Sequence, residues 1–474
     1  MESKAIIGPV PEGWKATTLG EVVKQGGGHI QTGPFGSQLH ASDYVPVGVP
    51  SIMPVNIGDN RIIEQGIARI TETDAERLSR HRVQAGDIIY SRRGDVERRA
   101  LIRPEQEGWL CGTGCLKVSL GNEGINPSFV SYYLGHPEVR AWILQHAVGA
   151  TMPNLNTSIM KAVPLLVPPL EEQQAIACIL GTLDDKIELN RRMNQTLEGM
   201  ARAIFKSWFV DFDPVRAKAQ RKDAEVQRRK EKQGQDSSAS LRLGGSALNP
   251  AIADLFPDAF EASELGEIPR GWKVDTILTV SELLSGGTPS TKVTGYWDGD
   301  VKWVSARDVS GAHGTFLLNT ERTITQQGVD NSSTKILPEL TTIVTARGTV
   351  GSYCILAEPM AMNQTNYGLK AATEDADYFV FFALESLVRQ LKQRAYGTVF
   401  DTVTTRTFKT SQVVIPPVSL ISKFHELVQP TMEAIRQNLK QSCTLSGVRD
   451  TLLPKLISGA LRVPDAERVV GRCV

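Results

Sequence analysis

The order of segments in this chain is repeated, and that repeat constrains the fold before any local propensity does. "PEGWK" at residues 11–15 returns as "PRGWK" at 269–273. After the first copy comes "ATTLGEVVKQGGG" and then a loop rich in Gly, Pro and Ser, "TGPFGSQLHASDY"; after the second comes "VDTILTVSELLSGGTP" and then "STKVTGYWDGDVKWVS". Further on, "VQAGDIIYSRRGDVERRALI" (83–102) matches in pattern "ILPELTTIVTARGTVGSYCIL" (336–356). Both are β-rich runs broken by an Arg-Gly turn, Arg93-Gly94 and Arg347-Gly348. "VPLLVPPLEEQQ" (163–174) then finds its counterpart in "VVIPPVSLISKF" (413–424), where a strand ends at a Pro pair and hands over to a helix. A chain of 474 residues exceeds what one hydrophobic core usually organises, so two like units, each with its own core, are expected.

The helix after each Pro pair carries the clearest periodicity. From Ile176, alternating steps of four and three pass through Leu180, Leu183, Ile187, Asn190, Asn194, Leu197, Ala201, Ile204 and Trp208, which is a heptad seam. The offset that carries Val167 onto Ile415 carries this seam onto Phe424, Val428, Thr431, Ile435, Asn438, Ser442, Leu445, Arg449, Leu452 and Leu456. Apolar residues are fewer in the second seam, and Arg449 interrupts it. A seam asparagine weakens a coiled coil while fixing its register. Antiparallel pairing would bring Asn190 and Asn194 against Asn438 and Ser442; parallel pairing would align them too, so the seam leaves the direction open. At 1.5 Å per residue, Ile176 to Trp208 makes a rod of about 50 Å, the scale of a spacer.

A different texture follows. "VRAKAQRKDAEVQRRKEKQ" (215–233) is strongly basic and has no seam, and "GQDSSASLRLGGS" (234–246) reads as a flexible linker. The basic run reads as a solvated helical extension, with phosphate or partner contact as the sharper alternative.

Lys+Arg and Asp+Glu balance at 52 each, so only a local concentration of cations could support nucleic-acid binding. No apolar run is long enough for a bilayer, and "MESKAIIGPVPEGW" lacks the basic and then apolar pattern of a signal peptide. A cytoplasmic location is expected. The scattered Cys111, Cys115, Cys178, Cys354, Cys443 and Cys473 then stay as thiols.

Chemistry needs constellations that this sequence lacks. No glycine-rich loop ends in Gly-Lys-Ser/Thr, no Gly-x-Gly-x-x-Gly opens a helix, and the histidines include no His-Glu-x-x-His. "CGTGC" (111–115) has no second cysteine pair or histidine cluster at zinc spacing, and no Gly-x-Ser-x-Gly elbow occurs. Neither the Asn-Pro-Pro-aromatic motif of base methylation nor an acidic cluster with a downstream Glu-x-Lys for metal-dependent cleavage is found. No catalytic or metal-ligating residue is assigned.

Loop-borne polar residues on a rigid scaffold remain, the usual make-up of a binding site. "YSRRGDVERRA" offers Arg92, Arg93, Arg98 and Arg99, whose guanidinium forks suit a phosphate or the edge of guanine. The plain alternative is a solvated hairpin with ion pairs to Asp95 and Glu97. The second copy offers Arg347 among small residues, with Lys292, Lys302 and Arg307 upstream; Tyr296, Trp297 and Trp303 read as core. Ser37, Gln38 and His40 in the first glycine-rich loop complete the candidate DNA contacts.

Together, "GPFGSQLHASDY", "PPLEEQQAIACILGTLDDKIELNRRM", "LFPDAFEASELGEIPRGWK", "SGGTPSTKVTGYWDGDVKWVS" and "LLPKLISGALRV" resemble the specificity subunit of type I restriction-modification enzymes over essentially the whole chain. The resemblance implies an α+β protein with two α/β target recognition domains in tandem, separated by two long antiparallel coiled-coil spacer helices in a pseudo-twofold internal repeat. The domains would be 1–170 and 268–418, the spacer helices 171–212 and 419–460, with a basic segment and linker at 213–267 and a tail at 461–474. It further implies reading of a bipartite, asymmetric site in double-stranded DNA, each domain taking one half. A spacer of about 50 Å suits half-sites set against the roughly 34 Å turn of B-DNA. Two methyltransferase subunits would dock on the spacer region and restriction subunits through them. S-adenosylmethionine, ATP and Mg2+ would be used on those partners, none on this chain. Rival readings are a DNA methyltransferase with unrecognised motifs and a protein scaffold without base readout.

Overall fold

The computed structural model describes residues 6–121, 124–149, 151–231, 250–394 and 402–470. The linker read at 234–246, the end of the basic run at 232–233 and Cys473 lie outside them. The chain divides into two compact units, Met1–Glu188 with Ser442–Val474, and Leu189–Gln441. Helices and strands are mixed in both, an α+β fold.

The strands of the first unit are β1 (Lys15–Thr18), β2 (Gly27–Thr32), β3 (Tyr44–Ile52), β4 (Asp59–Asn60), β5 (Ala68–Ile70), β6 (Ile88–Ser91), β7 (Arg99–Leu101), β8 (Leu110–Cys111), β9 (Cys115–Gly121) and β10 (Pro164–Val167). They form a five-stranded sheet in the order β2-β9-β6-β7-β4, a three-stranded sheet β5-β3-β8 and the pair β1-β10. Central strand β6 reads Ile-Ile-Tyr-Ser and is buried at every position, since neighbours on both edges and side chains on both faces enclose it.

In the second unit lie β11 (Phe260–Ser263), β12 (Gly266–Pro269), β13 (Lys273–Thr276), β14 (Ser281–Ser285), β15 (Trp297–Val304), β16 (Phe316–Leu317), β17 (Arg322–Ile324), β18 (Ile336–Leu337), β19 (Thr342–Thr345), β20 (Tyr353–Leu356), β21 (Met360–Met362), β22 (Asn366–Ala371) and β23 (Gln412–Ile415). Their sheets are β14-β22-β19-β20-β16, β17-β15-β21-β18, β13-β23 and β11-β12. The five-stranded order repeats that of the first unit strand for strand. β15 lies antiparallel to β17 and parallel to β21, as β3 does to β5 and β8, and both have a register shift near their start. The sequence repeat is therefore a repeat of topology.

The recurrence of Gly-Trp-Lys has a direct structural cause. Lys15 opens β1 opposite Val167, and Lys273 opens β13 opposite Ile415, so each motif starts the strand that pairs with the one before its unit's Pro pair. The tryptophans anchor the turn: Trp14 and Trp272 are 6% and 4% exposed. Trp14 donates its indole N–H to Glu172 Oε2 at 3.1 Å.

Each Pro pair is followed by a long helix, Leu170–Phe209 and Val418–Ile457, 40 residues apiece and so about 60 Å long. Residues 170–188 and 442–457 belong to the first unit, 189–209 and 418–441 to the second. In the second unit, Asn190 Nδ2 donates to Gln441 Oε1 at 2.9 Å and to the Asn438 carbonyl at 3.3 Å, while Asn438 Nδ2 donates to Asn194 Oδ1 at 2.9 Å. Rising numbers on one helix meet falling numbers on the other, so the pair is antiparallel. Beyond this polar layer the seam is mostly apolar. Leu197 and Ile204 pack against the buried cluster that holds Ala201, Trp208, Phe424, Val428 and Ile435, and the Phe205 and Trp208 rings meet Phe424 edge-on at 5.7 and 6.1 Å.

In the first unit, Leu183 and Leu445 are buried in one cluster, with Ile187 packed against it. Ser442 is half-buried. Arg449, the apparent interruption, is the centre of a charged layer: Nη1 lies 2.7 Å from Asp184 Oδ1 and Nη2 lies 3.1 Å from Asp59 Oδ2 on β4. Burial works against this charge, but Asp184, Asp59 and Asp450 outweigh it and raise the Arg449 pKa. Asp184 also accepts from the Tyr132 hydroxyl at 2.7 Å. The second unit has a similar device in Arg202, which reaches Glu385 at 3.1 Å and the Gly314 carbonyl, just ahead of β16, at 3.0 Å. An arginine on a long helix thus holds an edge strand in each unit.

Among the described residues no helix is long and apolar enough to cross a membrane. The Arg449 layer makes a prediction. Arg449→Met leaves Asp184 half-enclosed without its counter-charge and is expected to destabilise the first unit by about 3 kcal/mol, whereas Arg449→Met with Asp184→Leu recovers most of the loss. Chemical denaturation of the four variants of the double-mutant cycle measures both effects.

Candidate nucleic-acid interface

The densest cationic segment of the sequence is the β6–β7 hairpin, in which Tyr90 faces Arg99 across the ladder. Its turn depends on glycine, for Gly94 sits at φ +75° in the left-handed region, as Gly348 does at φ +82° between β19 and β20. The Ser91 hydroxyl donates to the Arg93 carbonyl at 3.0 Å and closes the turn. Arg93 projects from it, exposed and with no side-chain partner among the described residues. Arg92 is half-buried, with Nε donating to the Leu155 carbonyl at 3.3 Å and its guanidinium 5.7 Å from the Phe35 ring centroid. Arg98 is exposed and paired to Asp95 at 2.6 Å, while Glu97 pairs with Arg140 at 3.5 Å.

Arg99 does not belong to this surface, which corrects its choice as a DNA contact. It points inward from β7, 5% exposed, with Nε donating to the Ser131 carbonyl at 2.5 Å and Nη1 4.0 Å from Asp59. Its head fills the space over Gly135, where a Cβ would come within 1.9 Å of Nη2. Burial lowers its pKa.

The first glycine-rich loop is pressed onto the same end of the sheet. Gly33 N–H donates to the Cys115 carbonyl at 2.9 Å, and a Cβ on Gly33 would meet the Gly112 carbonyl at 2.1 Å. The Gln38 side chain accepts from the Phe35 N–H at 3.1 Å and the Gln38 carbonyl from Arg77 at 2.9 Å, which fixes the loop tip. Ser37 and His40 are exposed beside it. Phe35, Gln38, Arg92 and Arg93 are thus brought into one loop cluster.

The second unit builds its cluster from the equivalent loops. Gly287 N–H donates to the Met362 carbonyl at 2.9 Å, holding the loop after β14 against residues 362–364, where Thr288 hydrogen-bonds Gln364. Lys292 is exposed on that loop, and Arg347 at its turn; neither has a side-chain partner among the described residues. The Thr345 hydroxyl donates to the Thr349 carbonyl at 2.5 Å across the turn. Lys302 is engaged elsewhere, donating to the Leu318 carbonyl and paired with Glu358, each at 2.6 Å. Arg307 is exposed and loosely paired with Glu321 at 3.4 Å. Trp297 and Trp303 are core, stacked edge to face at 5.2 Å.

The basic run starts within a helix, Asp213–Glu231, and part of its charge is spent inside the unit. Lys218 donates to the Phe256 carbonyl at 2.8 Å, Lys222 pairs with Asp258 at 2.5 Å and Arg216 lies 5.2 Å from the Phe260 ring centroid. Buried Cys111 and Cys115 have thiol pKa values pushed upward by desolvation, to about 12 for Cys111. Among the described residues no group of His, Cys, Asp and Glu could hold a metal ion. Sequence reasoning passed over Phe35 and Met152; the available signal was a large apolar residue alone in a turn-forming stretch, "GPFG" and "ATMPN".

One module used twice, with its own loop chemistry in each copy, defines a duplicated recognition protein. A model of the type I restriction modification DNA specificity domain matches residues 11–199 and again 269–432, and the chain belongs to that family. It is 27% identical over 451 residues to the specificity subunit of the type I restriction enzyme HindI of Haemophilus influenzae, covering 87% of this chain and 95% of that one. It is 23% identical over 466 residues to the MjaIX specificity subunit of Methanocaldococcus jannaschii, covering 97% and 96%. The fold is similar to the crystal structure of a type I restriction-modification S subunit from M. genitalium, with a TM-score of 0.53 and 14% identity over 94% of this chain and 96% of that one.

Arg93→Ala and Arg347→Ala are expected to leave the fold intact, since neither side chain holds structure. Each should weaken specific DNA binding by roughly 1–3 kcal/mol and relax preference in one half-site, a different one for each. Competition binding with half-site libraries reads this directly.

Proposed function

We propose that this chain reads a bipartite, asymmetric site in double-stranded DNA, each half taken by one of the two repeated modules, and that it recruits the subunits that act on that site. The observation that carries the reading is the strand-for-strand repeat of one sheet order with unlike turns at its end, apolar and arginine-rich in one copy and hydroxyl-rich in the other. Unlike reading surfaces imply unlike half-sites. Residues 1–170 and 268–418 serve as the target recognition domains. Phosphate contacts would supply most of the affinity and a few base-edge contacts the specificity. The chain itself makes and breaks no bonds. S-adenosylmethionine, ATP and Mg2+ belong to partner subunits, and the assembly works in the cytoplasm.

We further assign two methyltransferase subunits as direct partners, with restriction subunits joining through them. An outward face of the first long helix supports this. Leu189, Met193 and Met200 are 49%, 43% and 53% exposed and lie at heptad positions, away from the seam used by Asn190, Asn194 and Leu197. A helix from a partner could complete a second seam there.

Two measurements test the reading. The purified chain with DNA and labelled S-adenosylmethionine should transfer no methyl group until methyltransferase subunits are added, and sequencing of the methylated DNA should then show two dissimilar half-sites. Methylation by the chain alone would refute it. Met193→Asp with Met200→Asp should abolish co-purification of the methyltransferase while the melting temperature stays within a few degrees, because both side chains already face water.

A further inference from the structure

We propose that the first unit reads part of its half-site through the C5 methyl groups of thymine, using an apolar surround of Phe35, Val55, Val148 and Met152 about the Arg92–Arg93 turn. The proposal rests on the DNA-reading function set out above. The four apolar side chains are 53%, 74%, 62% and 61% exposed. Single exposed apolar residues are ordinary; several gathered around one cationic turn are not.

Backbone contacts gather them. Arg92 N–H donates to the Gly114 carbonyl at 2.8 Å, and a Cβ on Gly114 would touch Pro54 at 3.2 Å, which brings the neighbouring Val55 beside the turn. Gly94 N–H donates to the Pro153 carbonyl at 3.1 Å, setting Met152 on the other flank. Asn154 bridges to both Arg93 and Val148. Phe35 lies under the Arg92 guanidinium. The result is a greasy rim with a free guanidinium, Arg93, at its centre.

That chemistry matches one edge of the double helix. In the major groove thymine offers a methyl group and guanine offers two acceptors, so apolar side chains beside an arginine fit a step that contains both. The minor groove shows no methyl group on any base pair. The second unit differs. Around Arg347 lie Thr345, Thr349 and Ser310, the last two hydrogen-bonded to each other; among the described residues none of the exposed large hydrophobics falls in 345–352 or 363–365, and Val293, on the loop after β14, is 42% exposed. Methyl reading is therefore assigned to the first module.

Deoxyuridine provides the test, because it keeps the hydrogen-bonding edge of thymine and lacks only the methyl. The full chain, assembled with its methyltransferase subunits, is titrated with DNA bearing its own site, each half-site carrying deoxyuridine for thymine in turn. Binding is expected to fall roughly fourfold per contacted methyl, equivalent to about 0.8 kcal/mol, in the half-site read by the first unit. Phe35→Ala and Met152→Ala, both surface changes whose folding is checked by melting, should no longer distinguish thymine from deoxyuridine in that half-site. Preference for the site over a scrambled sequence, without any response to deoxyuridine or with the same response in the variants, overturns the inference and leaves DNA reading intact. Normal DNA binding by variants that fail to assemble with the methyltransferase also overturns it, by making the rim a protein contact. No preference for the site over scrambled DNA sinks the parent reading instead.

Discussion

A buried amide must be hydrogen-bonded, and that requirement fixes how the two long helices lie together in the second unit. Asn190 is 1% exposed and Asn194 5%, in a seam that is largely apolar. Asn438 and Gln441, standing opposite, hydrogen-bond these amides. A slip of one heptad would set the Asn438 amide against Leu183 and Ile187 in one direction or Leu197 and Ala201 in the other and strand it without a partner, a cost of a few kcal/mol. The aromatic stack depends on that register too, since Phe205, Trp208 and Phe209 converge on the single ring of Phe424. A polar layer that weakens the seam thereby specifies everything packed along it.

Much of this was legible because period and order survive in a bare sequence. The four-three alternation from Ile176 gave the seam, and the recurrence of Gly-Trp-Lys ahead of a Pro pair marked two like units, which the structure shows as two copies of one strand pairing, Lys15 with Val167 and Lys273 with Ile415. Arg449 was misleading for a physical reason. Its partners Asp184 and Asp59 come from another helix and from β4, so a charge that looks like a break in a pattern is a closed ion-pair layer once the chain is folded. Pairing direction is likewise invisible to periodicity, since a palindromic spacing of amides suits either orientation.

Within the candidate interface the limit is finer. "YSRRGDVERRA" presents four arginines as equals, yet Arg93 at the turn is free, Arg98 is tied to Asp95, and Arg99, one residue further, faces the core. Strand alternation separates the last two, but only once the hairpin register is known, and a one-residue shift would exchange them. Lys302 makes the same point from β15, where its charge holds the 318 carbonyl and Glu358. Phe35 and Met152 escaped notice because an exposed apolar residue means little until its neighbours are placed.

A chain with no net charge can engage a polyanion only by leaving a few cations uncompensated where they are needed. The fold does this by spending several of its arginines on structure: Arg99 and Arg449 in the first unit, Arg202 and Arg436 in the second, each held by carboxylates or carbonyls. Arg93 and Arg347, at matching turns of the two copies, are left over. Because the turns are short and the sheets behind them are rigid, the side chains that flank each arginine can differ without disturbing the core. Affinity for the phosphate backbone would then be common to both modules, and the difference between a methyl-lined and a hydroxyl-lined surround is what remains to tell one base sequence from another.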